Sequence, residues 1–90
     1  MSLSRGRVVC SKLGRDKDKF LVLMSIEGGF CYVCDGKERP LLNPKRKNEK
    51  HLAATNCFLS EEQMTTNRAL KKALAEIAWV NKNGKEEDSY

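Results

Sequence analysis

The sequence predicts a mostly-β fold, a small twisted β-barrel with a helical appendage. Three observations carry this. Short runs rich in Val, Ile, Phe and Tyr follow one another closely between Arg7 and Thr55. Tight turns containing glycine separate them. After Ser60 the pattern changes, and Leu70, Ala73, Leu74 and Ile77 fall at i, i+3, i+4 and i+7 as one apolar stripe. Closing the strands into a barrel would also remove most of the exposed edges that invite aggregation. Ninety residues suit one domain with a modest core.

Arg7 to Leu13 mixes β-branched and polar residues and reads as the first strand, ended by Gly14. Phe20 to Ile26, FLVLMSI, is the strongest strand; Glu27-Gly28-Gly29 signals a hairpin, and FCYVCD, Phe30 to Asp35, returns. Asp35-Gly36 marks the next turn. RPLL, Arg39 to Leu42, reads as a short edge strand, because Pro40 would break a ladder in the middle of a sheet. NPKRKNEK, Asn43 to Lys50, reads as a basic irregular connection, and Lys50 to Thr55 as a last short strand. Ser60 and Gln63 form a capping box, with Glu61 and Glu62 in the first turn where the helix dipole favours acids. Thr65, Thr66 and Asn67 interrupt the stripe, which allows two helices, the second capped near Thr66. The organisation expected is a barrel over 1–59, a helical part packed on it over 60–80, and a disordered tail over 81–90, whose NKNGKEEDSY has no periodicity.

The formal charge of +5 is unevenly placed. Residues 1–59 hold twelve Lys/Arg against six Asp/Glu, and residues 60–90 hold five against six. A localised basic surface favours polyanions, nucleic acid first and anionic membrane second. The N-terminus has no apolar signal-peptide core, and the longest apolar run, Phe20 to Met24, is far too short to span a bilayer. The chain is therefore expected to be cytoplasmic, away from the membrane and monomeric, with its four cysteines reduced.

Between the first two strands stands Gly14-Arg15-Asp16-Lys17-Asp18-Lys19. A plain turn needs only Gly, Asn, Asp or Pro. Three cations spaced two apart exceed that need. Gly14 permits a sharp exit from the first strand, and Arg15, Lys17 and Lys19 can then stand out from a loop anchored on both sides. Arg grips phosphate with paired hydrogen bonds, while Lys acts as a mobile point charge. Asp16 and Asp18 oppose this, either by orienting the cations or because the loop is only a solvated turn.

The order strand, glycine, charged loop, lysine, apolar strand from Gly6 to Leu23 resembles a KOW motif. Val33-Cys34-Asp35-Gly36, the basic stretch and Lys50 to Asn56, KHLAATN, extend the likeness to the N-terminal domain of the eukaryotic and archaeal large-subunit ribosomal protein fourteen family. Small bacterial KOW-domain RNA-binding proteins are more similar still, and the resemblance covers roughly residues 5–80. It implies an SH3-like barrel that binds RNA, most of all ribosomal RNA, in or near the ribosome, with ribosomal proteins as further partners. One departure stands out: where the motif commonly has a glycine before its lysine, this chain has Asp18, which predicts a different turn and a weaker hold on phosphate.

Lys45-Arg46-Lys47 with Lys50 forms a second basic element. The expected RNA-binding set is Arg5, Arg7, Lys12, Gly14, Arg15, Lys17, Lys19, Lys45, Arg46, Lys47 and Lys50. Phe20, Phe30 and Tyr32 suit base stacking or core packing, and packing is favoured. Trp79 lies about opposite the Leu70 stripe, an exposed contact unless the helix ends before it. The alternative function is a protein-interaction module, in which the Leu70 stripe is a docking face.

Catalysis and cofactors find little support. Cys31-Tyr-Val-Cys34 has C-x-x-C spacing, but residues three apart on a strand point to opposite faces, and no second pair exists to complete a zinc site. Buried free cysteine is the favoured reading. His51 is the only histidine, and neither a nucleophile motif nor a phosphate-binding glycine loop is present. No metal, cofactor or enzymatic activity is expected.

Overall fold

The computed structural model describes residues 3–83. Five strands, β1 (Arg7–Ser11), β2 (Phe20–Glu27), β3 (Phe30–Cys34), β4 (Lys45–Asn48) and β5 (Leu52–Phe58), precede one helix, α1 (Asn67–Asn83). Single 3-10 turns occupy Gly14–Asp16, Glu49–His51 and Glu62–Met64. Every strand pair is antiparallel, in the order β4-β3-β2-β1-β5. The sheet is not closed. Its two edges are β4 and β5, where the sequence predicts closure.

Both faces of the central strands are buried. Val8, Val22 and Cys34 on one face join Leu59, Met64, Leu70, Ala73 and Leu74 in one core. Val9, Leu21, Leu23, Cys31, Val33 and Leu52 form a second core on the other face. This explains why FLVL runs without polar interruption: neither face of a strand in this position meets water. Breaks in register between Arg7 and Val9, and between Leu23 and Ser25, mark bulges that bend the strands.

The helical part follows its sequence signals closely. The Ser60 amide donates to Gln63 Oε1 at 2.9 Å and the Gln63 amide to Ser60 Oγ at 3.3 Å, a reciprocal box on the 3-10 turn. Thr66 Oγ1 then accepts from the Ala69 amide at 3.0 Å and caps α1. Leu70, Ala73 and Leu74 are buried against the sheet, so this part of the stripe covers the core, while Ile77 is only partly buried. Burying Leu70 completely is worth about 1.5–3 kcal/mol. Gly36, at φ +80°, lies so close to the start of α1 that a Cβ there would sit 2.5 Å from the Asn67 carbonyl oxygen. Trp79 remains within the helix and is 59% exposed.

Five boundaries differ from the sequence reading. The last strand is Leu52–Phe58 and not Lys50–Thr55, because Glu49–His51 forms a 3-10 turn. Arg39–Leu42 is a turn and not an edge strand: Asp35 Oδ1 accepts from the Lys37 and Arg39 amides, and Pro40 O accepts from Asn43, so the chain curls. The edge strand is instead Lys45–Asn48, inside the segment expected to be irregular; its backbone pairs with Phe30 to Val33. The first strand stops at Ser11, whose hydroxyl donates to Leu13 O at 2.9 Å. Helix α1 runs to Asn83, past the expected end at residue 80; the rest of the expected disordered tail, 84–90, lies outside the described residues. Among the described residues, no helix is long and apolar enough to cross a membrane.

Candidate nucleic-acid interface

The loop after β1 buries one of its two acids, Asp16, and leaves Asp18 exposed among its cations. Asp16 is 1% exposed, and its Oδ2 lies 3.3 Å from Arg39 Nη2 and 3.7 Å from Lys47 Nζ. Lys47 also donates to Ser11 Oγ at 3.0 Å and to Leu13 O at 3.2 Å. The loop is thereby docked against β4, and Gly14, at φ +82°, turns beneath that ammonium group. Arg15 and Lys17, on either side of the buried acid, are exposed. A buried acid with exposed cations on both sides is an anchored display of charge.

Asp18 takes φ +69°, the left-handed conformation that glycine usually provides, and its amide donates to Ser11 O at 2.8 Å. Asp is one of the few residues that tolerates this region, so the loop turns here without the usual glycine. The different turn expected from Asp18 is therefore not required, since Asp18 itself adopts the left-handed backbone that a glycine would supply. Lys19 does not stand free: its Nζ lies 2.8 Å from Glu38 Oε1, which raises the lysine pKa and lowers that of the carboxyl.

The eleven expected residues divide into three groups. Lys12, Gly14, Arg15, Lys17, Lys45, Arg46 and Lys50 are exposed and lie on the loop, on β4 or on the 3-10 turn that follows it. Among the described residues, Lys12, Arg15, Lys17, Lys45 and Lys50 make no ion pair. Two further residues are structural ties within this same region, Lys47 to Asp16 and Lys19 to Glu38. Arg5 and Arg7 lie at the opposite end of β1. Arg5 makes a two-pronged pair with Glu61, both contacts at 2.9 Å, which lowers the Glu61 pKa chiefly through the hydrogen bond. Arg7 donates to Thr55 O at 2.7 Å and lies over the Phe58 ring at 4.2 Å.

The backbone sets two of the exposed cations near each other. The Lys12 amide donates to His51 O at 2.8 Å, setting the end of β1 beside the 3-10 turn that holds Lys50. Lys12, Lys50 and Phe30 line one open hollow with Gly28, Asn48 and Glu49. Arg46 lies over the Phe30 ring at 4.7 Å. Phe30 and Tyr32 are only half-buried, less than core packing would require. Arg39 and Glu38 escaped the sequence reading as site-shaping residues. The alternating signs of the loop hinted at Asp16, but no sequence signal placed it beside Arg39 or Lys47.

The cysteines have no shared chemistry. Cys31 and Cys34 belong to cores on opposite faces of the sheet. Burial, with a smaller contribution from Asp35, pushes the Cys34 thiol up to about 11. Burial likewise raises Cys31 and Cys10. No group of three or more His, Cys, Asp or Glu side chains among the described residues has metal-binding proximity. No protein-family model matches the chain, and no curated protein matches it.

Proposed function

We propose that this protein binds RNA through phosphate contacts from the loop after β1 and from the β4 edge, as a ribosome-associated accessory of translation. The observation that carries the reading is the anchored loop: Asp16 turns inward to Arg39 and to Lys47 of β4, while Arg15 and Lys17 on that loop, and Lys45 and Arg46 on β4, stay exposed. No packing requirement accounts for those exposed cations. Several weak contacts to a polyanion gain together from counterion release, and few base-reading groups imply low sequence specificity.

The scaffold in this reading is an SH3-like barrel of the KOW type. Its support is a distance argument. Strands β4 and β5 are the opposite edges of a five-stranded sheet, about 19 Å apart if it were flat, given strand spacings of about 4.8 Å. Only Glu49–His51 connects them, and the four steps from Asn48 to Leu52 reach at most about 14 Å. The sheet is therefore curled towards a barrel even without a β4–β5 ladder.

Replacing Arg15, Lys17 and Lys45 together by Glu tests the reading. RNA affinity is expected to fall at least about ten-fold at low salt, and the slope of log K against log salt to drop by about 2–3, at roughly 0.7–0.9 per lost phosphate contact. Unchanged affinity and slope in a folded variant would refute it. A second reading, a protein-interaction module, draws on one observation: a mostly apolar hollow between β5 and α1, lined by Phe20, Phe58, Leu59, Ile77 and Val80. Binding there would scarcely respond to salt.

A further inference from the structure

The hollow between the β2–β3 turn and the 3-10 turn after β4 sets two of the candidate phosphate-binding cations beside an aromatic ring, which a phosphate grip does not use. Its floor includes Phe30, the first residue of β3, half-buried and with the Arg46 guanidinium 4.7 Å from its ring centre. Gly28 and Gly29 form one wall, and a Cβ built on either would meet nothing within 4 Å, so the space there is open. Lys12 and Lys50 stand on the rim without ion pairs among the described residues. The hollow holds about 540 Å³, within the range of about 300–1,000 Å³ typical of small-ligand sites.

Two polar groups complete it. Asn48 Oδ1 accepts from the Lys50 amide at 3.0 Å, which leaves the Asn48 side-chain amide NH2 as a donor in the lining. Glu49, the one acid in the lining among the described residues, offers an acceptor beside it. An aromatic ring, a donor next to an acceptor, and two cations on the rim match the three parts of a nucleotide: a flat base, its hydrogen-bonding edge and its flanking phosphates. A duplex cannot use this arrangement, because its bases are stacked and their edges paired.

We infer that the Phe30 hollow takes a single unpaired nucleotide, so that the RNA partner carries a bulged or looped-out base beside a helical segment. The base stacks on Phe30, its edge meets Asn48 and Glu49, and Lys12 and Lys50 hold the phosphates on either side. This inference rests on the RNA-binding reading and adds to it the kind of RNA bound.

Fluorescence anisotropy with two RNA hairpins tests it, one fully paired and one identical but for a single bulged adenosine. The natural protein is expected to bind the bulged hairpin about ten-fold or more tighter, the scale of one base–aromatic stack. Phe30→Leu keeps an apolar side chain without a π face; it should lower bulged-hairpin affinity to the paired level and leave paired binding unchanged. Phe30→Trp should restore the preference, and its emission should be quenched by the bulged hairpin alone. Equal affinity for both hairpins in the natural protein, or an equal loss on both in Phe30→Leu, would overturn the inference while leaving the phosphate-grip reading intact. Absence of binding to either hairpin would overturn both.

Discussion

The two edges of the sheet solve the same problem in opposite ways. Strand β4 reads Lys45-Arg46-Lys47-Asn48, almost wholly charged, whereas β5 reads Leu52-Ala-Ala-Thr-Asn-Cys-Phe58 without a single charge. An unpaired edge invites other strands, and lysine along it is a common defence. On β4, charge supplies that defence, and one of its lysines, Lys47, turns in to hold the loop. On β5, side-chain bonds and flanking groups do the holding: Thr55 Oγ1 donates to Val8 O at 2.7 Å, and Arg7 lies over Phe58. Charge along the strand marks one edge, and a threonine hydrogen bond with one arginine laid over Phe58 marks the other. The proposed polyanion-binding surface lies on the β4 side.

The largest test of this contrast is Lys47→Met, which keeps the stem and removes the buried charge. Asp16 is left with Arg39 alone, and breaking one partner of a buried ionic cluster costs about 3 kcal/mol. Urea unfolding should show that loss; a change under about 1 kcal/mol would mean that the loop is held by its backbone alone. The matching change on the other edge, Thr55→Val, removes one neutral hydrogen bond to Val8 O and one from the Cys57 amide. It should cost about 1 kcal/mol, so a penalty as large as that of Lys47→Met would erase the distinction.

The smallest effect compares the surface ties on the two sides under acid. Lys19–Glu38 braces the loop near β4, and Arg5–Glu61 braces the chain before β1 to the turn after β5. Both carboxyls titrate below their ordinary value of 4.5, chiefly through hydrogen bonds from these cations. Below that value the unfolded chain takes up protons first, so each pair's contribution is fully present above about pH 4.5 and fades as pH falls through the folded-state value. Melting temperatures between pH 6 and pH 2.5 should fall less steeply in Glu38→Gln and Glu61→Gln than in the natural protein. Identical profiles would show that these exposed pairs contribute nothing measurable.

Local chemistry made much of this fold legible in the sequence. The FLVL run, the Gly28-Gly29 hairpin, the Ser60–Gln63 box and the Thr66 cap each depend on residues a few positions apart, and each element forms where its signal lies. The β4 edge was not legible, because Lys45-Arg46-Lys47 has the composition of a solvated connection, and only pairing with Phe30 to Val33 makes it a strand. Pro40 misdirected in the other direction, suggesting an edge strand where Asp35 winds the chain into a turn. In the candidate site, the exposure of Arg15 and Lys17 followed from the loop. The loss of Arg5 and Lys19 to Glu61 and Glu38 did not, since each partner is distant in the chain.

The two cores on opposite sides of one sheet set a limit on how this chain can be shortened. Val8, Val22 and Cys34 have the residues from Leu59 to Leu74 as their shield. A chain cut at the apparent end of the strands would present those side chains to water as a sticky apolar plate. The helix is as much a wall of this small molecule as any strand, and the shortest piece that keeps its shape must carry it.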